Sequence, residues 1–101
     1  MIVYNVTVKM HPSIASEWLQ WMQDEHIPDM LRTNCFTAYT ILRLIDIDES
    51  EGPTYAIQYQ AESKADYNRY IELHSGEMRR RSFEKWGDAF IAFRTVMEVV
   101  Q

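Results

Sequence analysis

The chain has 101 residues, enough for one hydrophobic core and too few for two. Hydrophobic residues make up 47% and charged residues 25%, both near globular averages, which speaks against intrinsic disorder. A net charge of −5 argues against a general nucleic-acid binder, and the single cysteine, Cys35, rules out an intramolecular disulfide or a thiolate metal cluster.

Residues 2–10 alternate, with Ile2, Tyr4, Val6 and Val8 on one side, and predict a strand. Pro12 suits the first position of a helix whose inward face is Ala15, Trp18, Leu19, Met22 and His26. Pro28, which lacks an N–H, is expected to kink or end it. Cys35 to Asp46 is a second alternating segment, with Phe36, Ala38, Leu42 and Leu44 in one phase. A polar turn from Asp48 to Pro53 leads into a strand from Thr54 to Ala61, and the pair reads as an antiparallel hairpin.

Ser63-Lys64-Ala65-Asp66 has the form of a capping box, opening a second helix with a buried stripe of Tyr67, Tyr70, Ile71, His74 and Met78. Gly76 is placed to break this helix and Gly87 to cap it, and Ala89 to Val100 is the last strand. The order β-α-β-β-α-β predicts one α+β domain over residues 1–101. It is the ferredoxin-like split βαβ arrangement, a four-stranded antiparallel sheet with both helices on one face.

Alternation divides the strand residues between the two faces. Tyr4, Val6, Val8, Phe36, Leu42, Leu44, Tyr55, Ile57, Tyr59, Ile91, Phe93, Met97 and Val99 are assigned beneath the helices. The other face receives Val3, Asn5, Thr7, Tyr39, Ile41, Arg43, Ala56, Gln58, Gln60, Ala92, Arg94, Val96 and Glu98. That second mixture is too apolar for a free sheet, so a second copy of the chain is expected to cover it, with Arg43 and Arg94 near Glu98. The N-terminus lacks the pattern of a signal peptide, and the longest uncharged stretch, Thr33 to Leu42, is too short to span a bilayer. A cytoplasmic homodimer, off the membrane, is therefore expected.

Four segments carry a resemblance: Trp18-Leu19-Gln20-Trp21-Met22, Glu25-His26-Ile27-Pro28-Asp29-Met30-Leu31, Glu49-Ser50-Glu51-Gly52-Pro53-Thr54-Tyr55 and Gly87-Asp88-Ala89-Phe90-Ile91-Ala92-Phe93-Arg94-Thr95. Over essentially its whole length the chain resembles an uncharacterised bacterial family of unknown function. More distantly it is similar to the dimeric α+β barrel superfamily, which includes cofactor-free monooxygenases, haem-degrading monooxygenases and muconolactone isomerases. The first resemblance implies a ferredoxin-like dimer. The second implies a small-molecule pocket between sheet and helices.

The pocket expected there is lined by Tyr4, Trp18, Met22, His26, Tyr55 and Tyr59, with His26 as acid or base on an apolar or aromatic molecule. The alternative is a non-catalytic binding or dimer-forming accessory protein in which His26 is structural. In haem-degrading relatives a second-helix histidine binds iron below a first-strand asparagine. His74 and Asn5 invite the comparison, but alternation points Asn5 away from the helices, so no haem is expected.

No cofactor and no metal are expected, because no ligand motif is present and the acidic turn from Asp46 to Gly52 misplaces the glycine of a calcium loop. Arg79-Arg80-Arg81 reads as a solvated face. An RNA-binding sheet would need stacking aromatics where Asn5, Thr7 and Gln58 stand.

Overall fold

The alternating N-terminus forms β1 (Ile2–Met10), the inner strand of a four-stranded sheet in the computed structural model, which describes residues 1–101. β1 pairs antiparallel with β3 (Thr54–Ala61) on one side and with β4 (Phe90–Glu98) on the other. β2 (Ala38–Arg43) flanks β3, giving the order β2-β3-β1-β4. With helices between β1 and β2 and between β3 and β4, the fold is ferredoxin-like, as the sequence predicts.

Pro28 does not end the first helix. After a single 3-10 turn (Pro12–Ile14), with the His11 ring accepting from the Ser13 N–H at 3.1 Å, α1 (Ala15–Trp21) runs into a π turn at Met22–His26. The helix then continues as α2 (Ile27–Arg32). Pro28 can donate no hydrogen bond, and its ring crowds the carbonyl four residues back. The wide turn, in which the Ile27 N–H reaches the Met22 carbonyl, absorbs that misfit. It also adds a residue to the turn, so the buried row runs Trp18, Met22, Ile27, Met30. His26 is displaced from the centre of that row to its flank and is half-buried.

The second helix is also divided. The Ser63 hydroxyl accepts from the Asp66 N–H at 3.1 Å and caps α3 (Lys64–Leu73), while the Asp66 carboxylate turns to Arg69. The break falls at His74 (φ −126°), not at Gly76, which lies inside α4 (Ser75–Trp86). Gly87, at φ +60°, caps α4 through its N–H to the Phe83 carbonyl at 2.7 Å. No helix is long and apolar enough to cross a membrane.

Residues directly opposite in register share a face. Tyr4 opposes Tyr59 and Val96, Val6 opposes Ile57 and Arg94, and Val8 opposes Tyr55 and Ala92. Tyr39, Ile41 and Arg43 oppose Tyr59, Ile57 and Tyr55. The assignments expected for β1 and β3 therefore hold, and those for β2 and β4 are shifted by one residue.

Phe90, Ala92, Arg94 and Val96 face the helices, whereas Ile91, Phe93 and Met97 lie on the open face with Leu42. Phe36 lies in the irregular stretch before β2 begins at Ala38, and the phase is lost there, so that Phe36 is buried in the core while Leu42 points outward. Arg43 pairs with Glu49 at 2.7 Å, not with Glu98. Tyr4 is the hub of the core, its ring 5.5 to 6.2 Å from those of Phe36, Tyr59, Tyr67 and Tyr70.

One glycine fixes how the acidic loop crosses the end of β1. Gly52 has φ +121°, and a Cβ there would lie 1.8 Å from the Met10 carbonyl oxygen. Gly52→Ala is expected to cost about 2–4 kcal/mol, because both the backbone conformation and the close approach are lost. Urea unfolding measures it as a lowered midpoint at unchanged slope; an alanine variant as stable as the parent would contradict this account.

Candidate functional site

Between the sheet and the helices lies a cavity of about 50 Å³. Its floor is the helix face of β1 and β3, with Tyr4, Val6, Val8 and Tyr59. Trp18, Met22, His26 and Met30 close one side, and Tyr70 and Met78 the other. At the mouth stand Arg79 and Ser82 from α4 and Arg94 from β4.

Five of the six expected residues thus meet: Tyr4, Trp18, Met22, His26 and Tyr59. The sixth, Tyr55, lies outside the cavity, its ring stacked on Trp18 at 5.7 Å. Among the lining residues not foreseen, Phe90, Ala92 and Arg94 depend on the β4 phase, and Arg79 is one the sequence places in a solvated basic run. A cavity this size is about a third of the roughly 150 Å³ needed to hold a benzene ring. Met22, Met30 and Met78 supply lining that can move, since unbranched thioethers change rotamer at low cost.

His26 owes its position to the π turn. Its ring stacks on Trp21 with centroids 4.9 Å apart, and Trp21 in turn meets Trp86 edge-on at 6.0 Å. On its outer side His26 borders a shallow surface cleft formed with Glu25, Asp29, Arg81, Glu84 and Lys85. It is the one residue that lines both the cavity and this cleft. Withdrawal from water lowers its pKa from the ordinary 6.5 to about 4; Asp29 opposes the shift, and Arg81 and Arg94 reinforce it. The ring is therefore neutral at pH 7. Burial pushes the Tyr59 and Tyr70 phenols well up, so both remain protonated.

Other sequence candidates are dispersed. Asn5 is on the open face of the sheet, and His74, at the break between α3 and α4, stacks on Tyr70 at 6.4 Å and does not line the cavity. The two do not face one another, and the cavity is far too small for a porphyrin, so the site does not fit haem. No three His, Cys, Asp or Glu side chains converge as a metal site. In the acidic turn the Asp48 carboxylate accepts from the Ser50 N–H at 2.9 Å, and Glu49 is held by Arg43.

A family model described as a domain of unknown function, DUF4286, matches residues 1–100. No curated protein gives a significant match to the sequence. Among solved structures, a dimeric ferredoxin-like protein from an uncultured marine organism superposes with a TM-score of 0.75 at 10% identity, over 99% of this chain and 95% of its own. An ethyl tert-butyl ether (ethd) family protein from Bacillus halodurans gives 0.68 at 12% identity, over 99% and 100%. SnoaB, a cofactor-independent oxygenase from Streptomyces nogalater, gives 0.70 at 13% identity, over 99% and 94%. Likeness at these identities shows the fold alone.

The His26 environment has a stability consequence with a definite sign. Its pKa is lower folded than unfolded, so between about pH 6.5 and about pH 4 the unfolded chain binds more protons. The stabilisation is complete above the unfolded value and is lost as pH falls toward the folded one. Relative to a His26→Gln variant, the parent is expected to lose about 2 kcal/mol between about pH 7 and about pH 4.5. Urea titrations of both proteins at each pH measure the difference; parallel pH profiles would show that His26 is not held neutral by the fold.

Proposed function

This chain belongs to the DUF4286 family of unknown function, and from its own cavity we propose a small-molecule enzyme in which His26 is the general base. The observation that carries this reading is the placement of a neutral imidazole as the common wall of an apolar cavity and an outer cleft. His26 borders the bound molecule in the cavity and shares the outer cleft with Glu25, Asp29 and Glu84, an exit for the proton.

The reaction begins with transfer of a proton from an acidic C–H or O–H of the substrate to His26. The electron pair stays on the substrate as a carbanion, enolate or phenolate. Returning the proton at another carbon isomerises the molecule. Alternatively, a carbanion formed at a CH2 carbon adds to dioxygen, which takes up the electron pair. The proton on His26 completes a hydroperoxide, and loss of water leaves a carbonyl at that carbon. A cofactor-independent oxygenase shares this fold. Neither course calls on a metal or an organic cofactor. The protonated Tyr59 and Tyr70 phenols are suited to donating hydrogen bonds to the developing oxyanion.

The size of the cavity supports a second reading, a binding or dimer-forming accessory protein without catalysis. Deuterium incorporation from heavy water into a panel of small lactones, β-keto acids and phenols separates the two. Exchange that falls about 100-fold in His26→Gln supports the base assignment, and undiminished exchange in that variant removes it. No exchange with any member moves the weight to the accessory reading.

We further propose that the chain works as a homodimer closed over the open face of the sheet, completing the α+β barrel. That face exposes Leu42, Ile91, Phe93 and Met97, Phe93 with 62% of its surface open. In its midst the Asn5 side-chain carbonyl is buried without a hydrogen-bond partner. Native mass spectrometry is expected to find twice the 12.0 kDa chain mass. Phe93→Glu is expected to yield a folded monomer, and a parent protein that is monomeric at micromolar concentration would overturn the dimer.

A further inference from the structure

The charges around the cavity are the reverse of those on the chain as a whole. The protein carries a net charge of −5 with fifteen acidic residues, yet no Asp or Glu lines the cavity. Its lining holds two arginines, Arg79 and Arg94, both at the mouth.

These two also differ from every other arginine in the protein. Arg32 pairs with Asp29, Arg43 with Glu49, Arg69 with Asp66, Arg80 with Glu77 and Glu84, and Arg81 with Asp29 and Glu77. Arg79 and Arg94 have no carboxylate partner, although neighbours on α4 take up Glu77 and Glu84. They come from different elements, a helix and the edge strand, and meet over one opening. Both act on the phenol of Tyr70, which favours its ionised form and places the two positive fields over the same part of the cavity. The Ser82 hydroxyl, one helical turn beyond Arg79, adds a neutral donor.

We propose that the cavity takes a small organic carboxylate, its apolar chain lying among the tyrosines and methionines and its anionic end held by Arg79 and Arg94. This deepens the reading of the cavity as a small-molecule site and rests on it. Guanidinium groups bind carboxylates through paired, charge-assisted N–H donors. An unpaired arginine at the rim of a water-poor opening is matched by a ligand that brings the missing charge. The narrow interior favours an unbranched chain over a ring.

The test is a protein-observed NMR titration of the whole chain with pentanoate and with pentanamide, which match in shape and differ in charge. Pentanoate is expected to shift the resonances of Val6, Met78 and Ala92 and to bind at least about tenfold more tightly than the amide. Arg79→Gln and Arg94→Gln, both at exposed positions, are expected to lose that preference, while Arg80→Gln, on the outer face of α4, keeps it.

Equal binding of the two probes at the cavity resonances overturns the carboxylate assignment and leaves the small-molecule site standing. No shift with either probe overturns both. A pentanoate preference that survives in both glutamine variants overturns the role given to the arginines. The comparison of the two probes on the parent chain decides the matter even where a variant fails to fold.

Discussion

A proline inside a helix has no amide hydrogen to give and needs room for its ring, and Pro28 imposes both demands as the second residue of α2. The chain answers with a π turn at Met22–His26 instead of a break. One residue is thereby inserted into the helical repeat, and the apolar row steps from Met22 to Ile27. Had the helix stayed regular, His26 would have followed Met22 into the core, where its nitrogens would need fixed partners. Displaced to the flank, the ring stacks on Trp21, loses most of its water, and borders both the cavity and the cleft. The proton chemistry proposed for His26 depends on this local adjustment more than on any long-range contact.

The fold itself was legible because the signals that set it are local. β1 and β3 alternate with large β-branched and aromatic side chains on one face, and their observed pairing keeps that phase. The Ser63 cap and the Gly87 stop are where the residue types demand them. Of the five expected residues that meet at the cavity, Tyr4 and Tyr59 stand on those strands, and Trp18, Met22 and His26 on the first helix and its π turn. What could not be read was phase in segments where both faces are apolar. Phe90-Ile91-Ala92-Phe93 satisfies either assignment equally, and only its partner settles it, through Met10 opposite Phe90. Ahead of β2 the irregular stretch from Cys35 to Thr37 breaks the alternation, so counting on from Phe36 puts Leu42 on the wrong face. Tyr55 was misplaced for a different reason: it is on the correct face, but Trp18 covers it.

The one-residue shift in β4 changes both halves of the functional argument together. It carries Arg94 inward to the cavity mouth and turns Phe93 outward onto the open face. The open face becomes more apolar than alternation suggested, and the cavity acquires a second guanidinium beside that of Arg79. Site and interface are thus written into adjacent residues of a single strand.

β4 has β1 on one side and no strand on the other. An edge strand with exposed apolar side chains is the least constrained part of such a sheet. Whatever covers Ile91, Phe93 and Met97 immobilises the same backbone that carries Ala92 and Arg94. Covering the open face would therefore do more than hide apolar surface. It would fix the position of one of the two guanidinium groups at the cavity mouth, so that ligand affinity and self-association become linked quantities, each strengthening the other through β4.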